Sequence, residues 1–100
     1  MRLKPEVNPS ALRPELLLAL VIAERVFEEF DYECVVTSLN DSAHSDTSLH
    51  YAGAAVDLRT RHMKDDAQIL TEKIRRNLTN DYDVILELNH IHIEYQPRRF

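Results

Sequence analysis

Glycine is nearly absent from this chain: Gly53 is the only one in 100 residues. A protein of this size usually uses several glycines in its turns. The single glycine lies in the segment SLHYAGAAVD, between His50 and Asp57. Imidazole nitrogen and carboxylate oxygen are both metal ligands in proteins. The position of this glycine therefore suggests that the segment turns sharply to form a binding site.

Cysteine is equally scarce. Cys34 is the only one, so the chain cannot form an internal disulfide. It lies in the apolar run ECVV, and we interpret it as a small buried hydrophobic residue. A fold that does not depend on oxidation is compatible with a reducing compartment.

Positive charge is in deficit, with 12 Lys and Arg residues against 17 Asp and Glu and a formal net charge of −5. Proteins that bind nucleic acid need a basic surface, so nucleic acid is a poor candidate partner. The longest apolar run, LLLALVIA, is too short to span a bilayer. ERVFEEF follows it where a signal peptide would have a small-residue cleavage site. We therefore expect neither a membrane partner nor an export signal.

Hydrophobic periodicity predicts the order helix, strand, loop, strand, helix, hairpin. The opening MRLKPEVNPSALRP is expected to be extended or to form a single turn. The first helix is predicted over 14–30, with Pro14 in its first turn. It is apolar nearly all round in its first half, so we expect it to be well buried. Strands are predicted over 32–39 and 54–60, a second helix over 63–78, and a tight hairpin around Asn89.

The charge and hydrophobic balance is typical of a globular protein, with 44% hydrophobic and 29% charged residues. The sequence contains no repeat, low-complexity tract or linker. We predict one small α+β domain over residues 1–100, in which helices cover a small antiparallel sheet.

The final predicted strand, HIHIEY, has strict alternation. A strand places His90, His92 and Glu94 on one face. Ile91 and Ile93 then lie on the other face, which we expect to meet the core. The histidines therefore face a polar surface or cleft, and a merely solvated strand face is the most common meaning of such a pattern.

His50 and Asp57 do not have the spacing that places two ligands on one helical face, as in HExxH. A loop that turns back at Gly53 could still bring both to one point. A catalytic zinc site has three protein ligands and one position free for water or substrate. His50, Asp57 and one histidine of HIHIEY would meet that number.

Two motifs resemble a known family. SLHYAGAAVD is similar to the SxHxxGxAxD signature of peptidase family M15, the zinc D-Ala-D-Ala carboxypeptidases and murein endopeptidases. HIHIE is similar to the HxH element that closes the site in that family, and VVTS and DLRT resemble short phage-borne members. The resemblance covers roughly residues 35–95. It implies a hedgehog/D-Ala-D-Ala peptidase-like fold.

The resemblance also implies the roles of individual residues. His50, Asp57 and His92 would bind zinc, and His90 would handle protons or steady the oxyanion. Some branches have a carboxylate base three residues before the last histidine ligand. Counting back from His92 reaches Asn89, which cannot take a proton. Counting back from His90 reaches Glu87, so an alternative register with Glu87 as the base stays open. The chemistry is consistent, because water activated by a metal needs a neighbour that exchanges protons near neutral pH.

Substrate binding is less clearly indicated. Many members carry an arginine shortly after the TS of the first strand, but TSLND has none. Arg59 or Arg61 could bind a substrate carboxylate, although strand-end arginines are more often only solvated. His44 lies in the loop that leads to the motif and is a candidate substrate-binding residue, although a surface position is more common for a loop residue. Ser48 is more suited to fixing that loop by hydrogen bonds than to acting as a nucleophile.

The resemblance thus implies a zinc metallopeptidase that hydrolyses peptide bonds in peptidoglycan stem peptides. We expect a phage or prophage protein, made without a signal peptide, that acts on the bacterial cell wall as a monomer. Two alternatives stay open. One is a binding or virion structural module that keeps zinc without turnover, as in the hedgehog signalling domain. The other is a small α+β interaction protein whose histidines have no role in catalysis.

Overall fold

The computed structural model describes residues 1–7, 12–39, 55–63 and 65–97. In these ranges, two helices and one five-stranded sheet form an α+β fold. No helix in the described part of the chain is long and apolar enough to cross a membrane. In chain order the elements are β1 (Arg2–Leu3), α1 (Pro14–Glu29), β2 (Val35–Leu39), β3 (Ala55–Arg59), α2 (Ala67–Asn77), β4 (Tyr82–Leu86) and β5 (His90–Tyr95).

The sheet is mixed, so the prediction of a purely antiparallel sheet is wrong. The strand order is β1-β2-β3-β5-β4, and β1 runs parallel to β2 while the other neighbours are antiparallel. Helix α1 supplies the crossover that a parallel pair requires. Strand β1 is held by the Arg2 N–H to the Cys34 carbonyl and the Lys4 N–H to the Val36 carbonyl, both 2.8 Å. A strand of two residues is too short to show periodicity in sequence.

The other predicted elements are confirmed with small shifts at their ends. Helix α1 ends one residue earlier than predicted, and β2 starts at Val35. Helix α2 starts at Ala67, because Met63 belongs to a turn in which its N–H bonds the Thr60 carbonyl at 2.9 Å. The tight hairpin around Asn89 joins β4 to β5.

The hydrophobic core lies between both helices and one face of the sheet. Ile91 and Ile93 are fully buried there, as the alternation in HIHIEY predicts. Because strand side chains alternate, Asp57 and the two histidines of β5 lie on the opposite face of the sheet. The core is built from residues of α1, α2 and the strands, among them Leu16, Leu20, Phe27, Val36, Val56, Leu58, Leu70, Ile74 and Val84.

Helix α1 is buried on one face only, so the prediction that it is well buried is wrong for the opposite face. Leu17, Leu18 and Val21 are each about half exposed, at 51–55%. The buried stripe contains Ala19 and Ala23. Both alanines are fully buried, so the face that carries them, and not the face with Leu17 and Leu18, packs against the core.

Cys34 is buried, as predicted, with 2% of its surface exposed. Burial is the main cause that raises the pKa of its thiol to about 12. A thiol with such a pKa is almost never ionised near neutral pH and is therefore inert.

Asp31 adopts the left-handed backbone conformation that glycine usually has after a helix. Its φ is 62°, in the left-handed region. Its N–H bonds the Glu28 carbonyl, and the N–H of Tyr32 bonds the Phe27 carbonyl, each at 3.0 Å. This pair of bonds is the Schellman motif, in which glycine is the favoured residue. A chain with a single glycine thus uses an aspartate at this position.

We expect Asp31→Gly to raise the free energy of unfolding by about 1 kcal/mol. Glycine removes the steric cost of the left-handed conformation, and the change also removes a carboxylate from the negative end of the helix dipole. Urea denaturation measures the difference. Asp31→Ala is the matched control, since it removes the carboxylate but keeps Cβ, and it should be less stable than Asp31→Gly. A glycine variant less stable than wild type would contradict this account.

Candidate functional site

The pairing of β3 with β5 brings the candidate residues of two distant segments together. Asp57 lies opposite His92, and Arg59 lies opposite His90. Directly opposed residues of an antiparallel pair have side chains on the same face. The two strands therefore place both predicted segments side by side on the face that is turned away from the helices.

His92 lies between two carboxylates. Its Nδ1 is 2.7 Å from Oδ1 of Asp57, and its Nε2 is 3.0 Å from Oε1 of Glu94. Glu94 is held in turn by Gln96, whose Nε2 donates to Glu94 Oε2 at 2.5 Å. Because both ring nitrogens face acceptors, the doubly protonated imidazolium fits this site best.

This environment raises the pKa of His92 to about 9. The hydrogen bond to Asp57 is the largest cause, and the bond to Glu94 adds to it, while burial acts in the opposite direction. About a quarter of the side chains of Asp57 and His92 is exposed, and less of Glu94. The cluster is partly shielded from solvent, so its ion pairs are stronger than those between fully exposed groups. It is still accessible from solvent.

His90 lies next to this cluster with three partners of its own. Its Nδ1 is 2.7 Å from Oδ1 of Asn89, and its Nε2 is 2.8 Å from Oε1 of Glu87. The same Nε2 is 3.8 Å from Oδ1 of Asp57. The hairpin fixes this arrangement, since the Glu87 N–H bonds the His90 carbonyl at 2.8 Å. The two residues predicted as alternative proton carriers, His90 and Glu87, therefore contact each other directly.

The raised pKa of His92 predicts how the stability of the metal-free protein depends on pH. The pKa is about 9 in the folded protein, against 6.5 for an unperturbed histidine of the unfolded chain. Protonation therefore stabilises the fold fully below pH 6.5, and this stabilisation is lost as pH rises through 9. We expect a loss on the order of 1 kcal/mol, because solvent screens a partly exposed group.

Urea denaturation at about pH 6 and about pH 9.5, in the presence of chelator, measures this loss on either side of the titration. The variant His92→Gln cannot titrate, so its stability should change less over the same interval. An equal loss in both proteins would show that other groups cause the pH dependence.

Two of the three predicted zinc ligands, Asp57 and His92, are in contact. The third, His50, lies outside the described residues, as do His44, Ser48 and Gly53. Within the described ranges, no group of three or more His, Cys, Asp or Glu side chains is arranged to hold a metal ion. The donor chemistry of the pair fits zinc, which accepts imidazole nitrogen and carboxylate oxygen. It supplies two ligands, and a third must come from elsewhere.

Three features of the site go beyond the sequence predictions. Glu94 has no predicted role, although the alternation in HIHIEY is a sufficient signal for its contact with His92. Asn89 cannot accept a proton as a base would, yet it holds the His90 ring. Lys4 and His90 line the same cavity. No local sequence pattern predicts this, because the position of Lys4 depends on the pairing of β1 with β2.

Comparison of the chain with protein-family models, with curated proteins and with solved structures finds no match. An assignment of function therefore depends on the motifs and on the geometry of the site.

Proposed function

We propose that this chain is a zinc-dependent peptidase that hydrolyses peptide bonds in peptidoglycan stem peptides. The observation that supports it best is the contact between Asp57 and His92, which are 35 residues apart in sequence and 2.7 Å apart in space. The two residues belong to the two motifs that resemble peptidase family M15. If the similarity of the two short motifs were due to chance, their candidate ligands would not be expected to lie in contact.

The finer fold belongs to the same proposal. A hedgehog/D-Ala-D-Ala peptidase-like fold is compatible with helices on one face of a sheet and with polar candidate ligands on the other. The mixed sheet with its parallel edge strand β1 is the feature that the resemblance did not imply.

In this proposal His50, Asp57 and His92 hold the metal. A zinc ion supplies Lewis acidity, which lowers the pKa of water toward neutrality and polarises the scissile carbonyl. Glu94 orients the His92 ring by accepting from its Nε2, so that Nδ1 faces Asp57. Metal and proton compete for His92, because a ligand imidazole must be neutral.

His90 is the proposed proton carrier. It lies 3.8 Å from the Asp57 carboxylate, close to the two proposed ligands, and its Nε2 faces Glu87 at 2.8 Å. A histidine with a carboxylate partner can receive a proton during attack and deliver it to the departing amine. Glu87 then steadies the charged ring, or takes the proton itself.

Digestion of purified peptidoglycan tests the proposal. We expect zinc-loaded protein to release new stem-peptide fragments, detected by mass spectrometry, and chelated protein to release none. The mass change identifies the bond, whether D-Ala-D-Ala, L-Ala-D-Glu or a cross-link. Zinc-loaded protein that leaves every muropeptide intact would contradict the peptidase proposal.

A catalytically inactive zinc-binding module is the second candidate. The absence of an arginine in TSLND favours it, since that residue is common in the family. Such a module would serve as a binding or virion structural protein. It would bind zinc and retain muropeptides without changing their mass.

Both candidates share the remaining expectations. We propose a monomer, carried by a phage or prophage, whose partner is a peptide of the bacterial cell wall.

A further inference from the structure

Strand β4 is an edge strand of the sheet among the described strands, with a neighbour only on its β5 side. The Glu87 N–H bonds the His90 carbonyl at 2.8 Å and therefore points toward β5. In an antiparallel pair, successive residues direct their backbone groups to opposite sides. The N–H and C=O groups of Tyr82, Val84 and Leu86 thus point outward, where an added strand would pair.

The sequence of β4 and the space beside it both favour an added strand. YDVIL combines aromatic, β-branched and aliphatic residues and contains no proline or glycine. A segment of this kind at a sheet edge is a template for pairing with another chain. A cavity of about 520 Å³ lies beside β4 and the end of α2, so there is room next to the edge. Ile85 adds an apolar side chain that is 48% exposed.

Arg75 of α2 reaches this edge. Its Nη2 donates to the Val84 carbonyl at 2.5 Å, and its Nη1 is 2.7 Å from Oε1 of Glu72, one helical turn earlier. The guanidinium therefore occupies the position that the N–H donor of an added strand would take. Arginine keeps its charge in proteins, and a charged donor binds an acceptor more strongly than a neutral N–H does. An incoming strand would have to displace this contact.

The contact with Arg75 also leaves too few backbone groups for a ladder of hydrogen bonds. In an antiparallel ladder, a bonded residue uses both its N–H and its C=O toward the residue opposite. The Tyr82 N–H already bonds the Thr79 carbonyl at 3.2 Å, and the Val84 carbonyl accepts from Arg75. Of the outward residues of β4, only Leu86 keeps both groups unbonded within the described ranges. Loss of Arg75 would free Val84 as well.

We propose that Arg75 closes the β4 edge against a second copy of this chain, and that two β4 edges pair when Arg75 is removed. Two copies of one edge pair antiparallel about a two-fold axis, the commonest symmetry of protein dimers. The opposite edge of the sheet is protected in another way, since β1 has only two residues and very short edge strands offer little to pair with. Arg75 thus gives the proposed monomer a physical cause, and this role does not depend on zinc or on catalysis.

Sedimentation equilibrium of Arg75→Ala tests this role. We expect the variant to self-associate at least about tenfold more strongly than wild type, as expected for the loss of one hydrogen bond to a charged group. Arg75 is exposed, so its replacement leaves the core intact, and circular dichroism verifies the fold. Arg76→Ala is the matched control, because Arg76 is the neighbouring exposed cation of α2, and it should behave like wild type. Equal self-association of the two variants would overturn the proposal.

Hydrogen exchange locates the contact between copies. In Arg75→Ala, the amide protons of Val84 and Leu86 should exchange more slowly as the protein concentration rises, because the added strand supplies acceptors. In wild type, the exchange of these two amides should not depend on concentration. A variant that is merely less stable would exchange faster at every concentration. Self-association without slower exchange at Val84 and Leu86 would place the contact elsewhere and overturn the proposal.

A second substitution restores the monomer if β4 edges pair. Adding Ile85→Glu to Arg75→Ala places a carboxylate on the edge strand at a half-exposed position, without disturbing the core. Across a two-fold pair of β4 strands, this carboxylate would lie near its own copy or near Asp83, and like charges destabilise cross-strand pairs. We expect the double variant to sediment as wild type does. A double variant that associates as strongly as Arg75→Ala would overturn the pairing of β4 edges.

Discussion

Replacing His92 with alanine is expected to weaken zinc binding by at least about 100-fold and to abolish hydrolysis with it. His92 contributes one of three proposed ligands, and changes in residues that merely orient a ligand already cost about 10- to 100-fold. Its loss also leaves Asp57 without the partner that lies 2.7 Å away. Competition against a chromophoric chelator measures the affinity, and circular dichroism verifies the fold.

The chain offers a matched control for this experiment. His62 is exposed, and its Nε2 contacts the Glu33 carbonyl at 2.9 Å. It has no proposed role as a ligand. We expect His62→Ala to bind zinc within about twofold of wild type. Asp57→Asn is a second test that preserves side-chain shape, and it should weaken zinc binding in the same way. Unchanged affinity in both site variants would refute the proposed ligands.

Replacing His90 with alanine is expected to lower kcat by about 10²- to 10⁴-fold while zinc content stays at the wild-type level. His90 contacts Glu87 and Asn89 and is farther from Asp57 than His92 is. It is thus placed to move protons beside the proposed ligands. Steady-state kinetics on a muropeptide and metal analysis of the same sample measure both quantities.

The variant Glu87→Gln separates the two candidate bases. If His90 carries the proton and Glu87 steadies it, the loss in kcat should be about tenfold. A greater loss in Glu87→Gln than in His90→Ala would make Glu87 the base. A fall in zinc content in His90→Ala would instead make His90 a ligand and would contradict its role as a proton carrier.

Elements with strong periodicity are predictable from the sequence. The HIHIEY alternation places Ile91 and Ile93 in the core and the histidines on the other face, because one buried face fixes the register of a strand. Strand β1 is not predictable, since its two residues depend on tertiary contacts with β2. The one-sided burial of α1 is also not predictable. Leu17 and Leu18 are apolar although they are half exposed, so the sequence does not show which face packs against the core.

The candidate site is predictable where one strand face determines it. Asp57 and His92 are in contact because the register of β3 and β5 places them opposite each other, and their role as zinc ligands stays a prediction. The cavity around Lys4 and Arg59 is not predictable as a unit. Its lining comes from the N-terminal segment and from the end of β3. No local sequence signal shows that these two segments lie next to each other.

The zinc content of the wild-type protein, purified without chelator and measured by plasma mass spectrometry, decides whether Asp57 and His92 belong to a zinc site. We expect about one equivalent of zinc per chain and a melting temperature that rises when zinc is restored to chelated protein. A protein that retains no zinc and shows no thermal shift on zinc addition would contradict the zinc site.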